Sequence, residues 1–299
     1  MRRPALTIFL MAALVSGGCA LPRPSPERLE VERGRYLVEG IGACGNCHTP
    51  KGPQGDLPGK HLAGGFEIAE DFGVAVSSNI TSDRVTGIGD WSDVEIIRAI
   101  REGRGRDGRL LGPPMPFVWY AWLTETDVKA MVAYLRTVPA VANAVPRSRY
   151  AVPLPSSWGP GPPVKPVPDV PTDNPVRYGS YLAGAVAHCL DCHTPRFPDG
   201  RLDLSKLGAG GSAFRGPWGV SYAANITPDL ETGLGKWTDG EIVASIHGAR
   251  RGGGRVLPPM AVDYYVKGIS ESDLKALLAY LRSLPPRRNV VPAPQPPKQ

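Results

Sequence analysis

Cys44-Gly45-Asn46-Cys47-His48 decides how this sequence of 299 residues is interpreted, and the pattern returns as Cys189-Leu190-Asp191-Cys192-His193. Two cysteines separated by two residues and followed at once by histidine form the attachment motif of c-type haem. The two thiols can reach the two vinyl-derived positions on one porphyrin edge, and the adjacent histidine then lies beneath the iron. The sequence therefore predicts two covalently bound haem c groups, attached through Cys44, Cys47, Cys189 and Cys192, with His48 and His193 as proximal ligands.

Two other interpretations of the cysteine pairs are open. Paired C-x-x-C units can bind zinc, and a single pair can act as a thioredoxin-like dithiol. Zinc would require the two pairs to converge from separate repeats and would not explain a histidine at the same place twice. A dithiol enzyme would require a βαβ context, which the sequence does not offer. Haem attachment is therefore the preferred interpretation.

The motif belongs to a longer internal repeat with an offset of 145 or 146 residues. Asn79-Ile80-Thr81 matches Asn225-Ile226-Thr227, and Trp91 matches Trp237. A repeat of this length predicts two domains of one type. We place the signal peptide, of either the ordinary or the lipoprotein type, at 1–20. The first cytochrome c domain follows at 28–141, then a proline-rich linker at 142–175, the second domain at 176–286 and a proline-rich tail at 287–299.

The repeat also identifies a candidate distal ligand for each haem. Met115 and Met260 are duplicated, each lies 67 residues after its histidine, and each follows two prolines. Proline restricts its own backbone and that of the residue before it, which suits a loop that must hold a thioether at the iron. Met131 is matched by Leu277 and is interpreted as helix core. Axial ligation by His48 and Met115, and by His193 and Met260, favours electron transfer over catalysis because it leaves no open iron position.

Helix-start patterns recur in both halves of the chain. Ser92, Thr238, Thr124 and Ser270 each precede a carboxylate by three residues, as expected of N-caps. Apolar residues then recur at spacings of three and four after Thr124 and Ser270, and strong period-two runs are scarce. We therefore predict an all-α fold, consisting of two tandem class I cytochrome c domains with long loops joined by the proline-rich linker.

The first twenty residues are typical of a secretory leader. Arg2 and Arg3 precede a short apolar stretch, and small residues lead to Cys19. Cys19 is either the acylated cysteine of a lipoprotein or is lost by cleavage near Ala20; both alternatives stay open. Either way the leader predicts a periplasmic protein, which a partner or a lipid on Cys19 would hold at the membrane.

The charge of the chain does not indicate a nucleic-acid partner. The formal charge is +6, but Arg2 and Arg3 leave with the leader, and four haem propionates would offset the remainder. No stripe of lysine and arginine and no nucleic-acid-binding motif stands out. We expect no nucleic acid among the partners.

Several phrases beyond the haem motif resemble the cytochrome c subunits of membrane-associated bacterial alcohol, aldehyde and gluconate dehydrogenases. They are Ser78-Asn79-Ile80-Thr81, Thr86-Gly87-Ile88-Gly89-Asp90-Trp91-Ser92, Asp107-Gly108, Leu123-Thr124-Glu125-Thr126-Asp127 and Ala133-Tyr134-Leu135-Arg136. The resemblance implies that a periplasmic dehydrogenase subunit donates electrons and that quinone or a terminal oxidase receives them. Members of that family commonly carry three haem domains and a C-terminal anchor, whereas two domains and a proline-rich end are expected here.

Two other classes of function compete with an electron carrier or haem subunit. A dihaem peroxidase would need one haem that opens to peroxide, and a thiosulfate dehydrogenase would need a further cysteine at a catalytic haem. A haem-based sensor would also need an open axial position. Because both halves carry the same Pro-Pro-Met, we expect no catalytic residue and a protein that is not itself an enzyme.

Overall fold

Helices form the frame of both repeats in the computed structural model, which describes residues 24–159, 164–250 and 253–297. The leader, Cys19 included, lies outside the described residues. The first repeat contains α1 (Pro26–Arg35), a π-helical continuation (Tyr36–Ile41), α2 (Gly45–His48), α3 (Asp93–Glu102), α4 (Phe117–Tyr120) and α5 (Glu125–Thr137). The second contains α6 (Pro175–Tyr181), a π-helical continuation (Leu182–Val186), α7 (Cys189–Cys192), a 3-10 turn (Leu204–Lys206), α8 (Asp239–Ile246), α9 (Val262–Gly268) and α10 (Glu271–Ser283).

The predicted N-caps are confirmed in all four helices. Ser92 and Thr238 complete capping boxes with Glu95 and Glu241 at the starts of α3 and α8. The hydroxyls of Thr124 and Ser270 accept the backbone N–H of the aspartate three residues on, which begins α5 and α10. Each cap satisfies an N–H group that the helix itself cannot pair.

The prediction of an all-α fold is wrong, because the described residues include three small antiparallel sheets besides the helices. Their strands are β1 (Lys51–Gly52), β2 (Gly55–Asp56), β3 (Glu67–Glu70), β4 (Gly73–Val76), β5 (Arg149–Tyr150), β6 (Ala213–Gly216) and β7 (Gly219–Tyr222). β1 pairs with β2, β3 with β4, β4 with β5, and β6 with β7. Strands of two to four residues are too short to produce a period-two signal in the sequence.

Glycines with positive φ close the two equivalent hairpins. Gly73 has φ of 114° and follows the two-residue turn between β3 and β4, and Gly219 has φ of 94° and follows the two-residue turn between β6 and β7. A side chain is strained in this region of backbone space, so glycine at these positions is the local signal for the turns.

Within each repeat the first helix packs tightly against the last. A Cβ atom added at Gly34 in α1 would lie 1.8 Å from the carbonyl oxygen of Ala130 in α5. The equivalent Gly179 in α6 would place a Cβ 1.9 Å from the carbonyl oxygen of Ala276 in α10. Glycine is therefore required at both crossings, where two helix backbones approach directly.

The two repeats also pack against each other reciprocally. α4 contacts the π-helical segment of the second repeat, and α9 contacts that of the first. The Tyr36 hydroxyl donates to Asp273 Oδ2 at 2.6 Å, and the equivalent Tyr181 hydroxyl donates to Asp127 Oδ2 at 2.7 Å. One hydrophobic core runs through both repeats. The domains thus share a single interior.

The region predicted as a linker lies along the first repeat. β5 in this region extends the sheet of β3 and β4. The Trp158 indole donates to the carbonyl of Leu111 at 2.7 Å, and the buried Arg101 donates to the carbonyl of Lys165 at 2.7 Å. In the described ranges no helix is long and apolar enough to cross a membrane. The predicted domain boundaries stay predictions.

Candidate haem-binding sites

Each C-x-x-C-H motif lies on a single helical turn. The backbone N–H of His48 donates to the carbonyl of Cys44 at 2.9 Å, and that of His193 donates to Cys189 at 2.9 Å. Residues three apart on a helix share one face, so the two thiols of each motif project together. Within the part of the chain that the structure describes, the four motif cysteines form no disulfide, as attachment to a porphyrin edge would require.

A backbone carbonyl fixes the orientation of each motif histidine. His48 Nδ1 lies 2.8 Å from the carbonyl oxygen of Ser78, and His193 Nδ1 lies 2.7 Å from that of Ala224. Because a carbonyl oxygen can only accept, Nδ1 must donate, which leaves Nε2 with a lone pair for iron. Burial also lowers the pKa of both imidazoles and favours the neutral, ligating form.

The two methionine loops are anchored in the same way. The Tyr150 hydroxyl donates to the carbonyl of Pro113 at 3.2 Å, two residues before Met115. In the second repeat the Ser221 hydroxyl donates to the carbonyl of Pro258 at 2.5 Å, two residues before Met260. Both methionines are partly buried and line the same cleft as the motif histidines.

That cleft is continuous through both repeats and has a volume of about 4390 Å³. A typical small-molecule site measures about 300–1,000 Å³, so this cleft has room for more than one large planar group. Buried and half-buried apolar side chains line it: Ile80, Ile96, Ile100, Met131 and Leu135 in the first repeat, and Ile226, Ile242, Ile246, Leu277 and Leu281 in the second. Apolar walls, paired thiols, an imidazole and a thioether fit haem c in each half.

The thiols themselves do not resemble a redox-active dithiol. Burial raises the pKa of Cys44 to about 12 and that of Cys189 to about 11. Reactive dithiols depend on a lowered thiol pKa, so that the thiolate is present near neutral pH. When bound, haem c would supply a one-electron couple at iron, with the chain providing its ligands and surroundings.

The two candidate sites adjoin across the interface between the repeats. Asn46, between the cysteines of the first motif, donates through Nδ2 to the carbonyl of Pro259 at 3.4 Å. His188, directly before the second motif, has its ring edge-on to Tyr120 of the first repeat at 5.8 Å between centroids. The attachment helix of one site thus touches the methionine loop of the other.

Asn79 and Asn225 are positioning residues, a role that the repeat in the sequence did not reveal. Asn79 is buried and donates to the carbonyl of Val141 at 2.8 Å, while its Oδ1 accepts from the Thr81 backbone N–H at 3.0 Å. It directly follows Ser78, whose carbonyl orients His48. Asn225 makes the equivalent contacts and directly follows Ala224. The signal was the repeated Asn-Ile-Thr phrase, which predicts a shared role but not which one.

We expect Asn79→Ala to reduce the free energy of unfolding by about 1–3 kcal/mol, since the carbonyl of Val141 and the backbone N–H of Thr81 would lose their partner. It should also shift the reduction potential of the first haem, because the segment that orients His48 would loosen. Denaturant unfolding and a redox titration measure the two effects. Asn225→Ala is the matched control and should move the second haem instead; a loss below about 0.5 kcal/mol, as for surface substitutions, would contradict this role.

Known proteins similar to this chain are cytochromes c, which agrees with the haem sites described above. Residues 31–139 match the family model for Cytochrome c. The chain is 33% identical over 94% of its length to the cytochrome c subunit of a quinone alcohol dehydrogenase from Gluconobacter oxydans (strain 621H), and covers 59% of that protein. It is 34% identical over 85% of its length to the gluconate 2-dehydrogenase cytochrome c subunit of Pantoea cypripedii, again covering 59%.

A third relative matches almost end to end. It is described as a diheme cytochrome c-type protein from Cereibacter sphaeroides, and is 29% identical over 95% of this chain and 99% of its own length. The chain thus spans about three fifths of the two dehydrogenase subunits but nearly all of the diheme protein.

The first repeat is therefore a cytochrome c domain, and covalently bound haem c is the cofactor of that family. The predicted resemblance to the cytochrome c subunits of bacterial dehydrogenases is confirmed. The names of these relatives describe cytochrome c subunits of dehydrogenases, which agrees with the predicted haem subunit. Neither the individual ligands nor the number of haems is fixed by the comparisons, so Cys44, Cys47, Cys189, Cys192, His48, Met115, His193 and Met260 stay predictions.

Proposed function

We propose that this chain carries two haem c groups and relays electrons from a dehydrogenase to the respiratory chain. The observation that supports this most strongly is the single cleft, which contains both C-x-x-C-H motifs and both Pro-Pro-Met loops. Two haems in one apolar cleft would exchange electrons over a short path, without a diffusing carrier between them.

The proposed ligands explain why the protein would carry electrons without performing substrate chemistry. His48 with Met115 and His193 with Met260 would fill both axial positions of each iron. The His/Met pair raises the reduction potential and closes the iron to substrate. The anchoring contacts at Pro113 and Pro258 hold the methionine loops against loss of the ligand.

The partners and the location belong to the same proposal. The names of the relatives support a dehydrogenase subunit as electron donor; quinone or a terminal oxidase would be the acceptor. The leader supports the periplasm, with attachment to the membrane through the partner or through a lipid on Cys19. Mass analysis of the mature N-terminus distinguishes the two, because a chain that begins at Leu21 or later cannot carry the lipid.

The relay is tested with protein matured in cells able to attach haem c. Pyridine haemochrome analysis should give two haems per chain, and a cognate dehydrogenase with its substrate should reduce both rapidly. Peroxide and thiosulfate are the control substrates and should not be turned over. One haem per chain would contradict the duplicated site, and substantial turnover by the isolated protein would favour the dihaem enzyme instead.

A further inference from the structure

The two halves of the cleft differ sharply in charge. In the first repeat, three lysine or arginine side chains line the cleft against four carboxylates. In the described part of the second repeat, nine lysine or arginine side chains line it against four carboxylates. A haem bound in each half would add two propionates to that half. The two additions are equal, so the difference in charge between the halves would persist.

Part of the difference arises at equivalent positions of the two repeats, beside the tryptophan and after the last helix. Asp90 precedes Trp91 in the first repeat, whereas Lys236 precedes Trp237 in the second. Asn79 donates to the carbonyl of Val141, and the equivalent Asn225 donates to the carbonyl of Arg287 at 2.7 Å. Arg287 and Arg288 thus replace Val141 and Ala142.

Exposed residues from the two chain segments line this part of the cleft, and we call them the basic rim: Leu230, Lys236, Arg287, Arg288 and Val290. Arg288 pairs with Glu231 at 2.9 Å, which joins the two chain segments of the patch. Among the described residues, no ion pair is formed by Lys236 or Arg287. In the first repeat, Arg84 pairs with Asp90 at 2.6 Å, so the equivalent rim is neutral.

Apolar surface accompanies the positive charge. Leu230 is 62% exposed and Val290 is 76% exposed, and both line the cleft beside the basic side chains. Protein interfaces commonly combine an apolar centre with a charged surround. Charges of this kind steer the encounter and raise association rates by about 10- to 1,000-fold.

We infer that the basic rim is the docking surface through which the second haem exchanges electrons with an acidic electron-transfer protein. The inference rests on the proposed haem at His193 and Met260. An acidic partner fits better than an anionic membrane, because the patch borders the redox cleft and a bound protein could bring its own redox group to it. The first haem, with its neutral rim, would exchange electrons with the second one inside the shared cleft.

The test uses the full, haem-loaded chain and a reduced, acidic plant-type [2Fe–2S] ferredoxin as the probe. Stopped-flow absorbance measures the reduction rate as a function of salt. The triple variant K236E/R287E/R288E should react at least about tenfold more slowly at low ionic strength, and the salt dependence should weaken. The matched variant D90K/V141R/A142R places the same charges on the first rim and should react faster than the natural chain.

Reduction by neutral tetramethylphenylenediamine separates failure of the inference from failure of the proposed function. All variants should be reduced by it at the same rate, and a natural chain that it cannot reduce would contradict the relay itself. Unchanged ferredoxin rates in the triple variant would overturn the docking surface. So would loss of binding to vesicles containing phosphatidylglycerol with no change in ferredoxin rate, since the rim would then be a membrane contact.

Discussion

Replacing Met115 with histidine should lower the reduction potential of the first haem by a few tenths of a volt, within the ~0.8 V range that axial ligands span. Imidazole does not raise the potential as a thioether does. The second haem should stay nearly unchanged, because ligand identity acts locally. A redox titration should therefore separate into two steps, and the weak near-infrared methionine-to-iron band should fall by half.

Met260→His should give the complementary result for the second haem. Met131→Leu is the control within the chain, because Met131 also lines the cleft but its equivalent is Leu277. This substitution should leave both potentials and the near-infrared band in place. If the band stays unchanged in Met115→His, Met115 is not a ligand.

Replacing Cys44 and Cys47 together with serine should remove one of two covalent haems. No thiol would remain in that half of the cleft to form the thioethers, and a bare apolar cavity would be left in the shared core. Haem staining of denatured protein should fall by half, and the melting temperature should drop. Loss of the filling group exposes apolar walls and removes packing contacts.

The double variant Cys189→Ser/Cys192→Ser should remove the other covalent haem. The losses in the two variants together should account for all covalent haem. Full staining in either variant would show that haem is not attached at the altered motif. Because the repeats share one core, each variant should also destabilise the unaltered repeat, which a comparison of haem absorbance with backbone signals during unfolding would detect.

Much of the architecture could be predicted from local sequence signals. The four helix starts follow from a hydroxyl followed by a carboxylate three residues on, since the hydroxyl accepts an N–H group of the first turn that the helix itself cannot pair. The motif also identifies His48 as a candidate ligand, although the sequence could not show that the carbonyl of Ser78 accepts from its Nδ1.

The hairpins and the interface could not be predicted, for different reasons. β3 and β4 have four residues each, so only Gly73 marked their turn, and glycine is frequent throughout the chain. Tyr36 and Asp273 are 237 positions apart, and neither residue alone indicates a contact across the repeats. The charge of the basic rim is visible in the sequence, but its position at the cleft requires the fold.

The reciprocal pairing of Tyr36 with Asp273 and of Tyr181 with Asp127 has a consequence for how the molecule is assembled. In contacts around a two-fold axis, each copy offers the same patch to the other. Here both copies belong to one polypeptide, so the protein is in effect an isologous dimer closed by its own chain. Because each repeat uses this patch to bind its twin, the patch is closed to an outside protein, whereas the two cleft rims stay open to solvent and differ in charge.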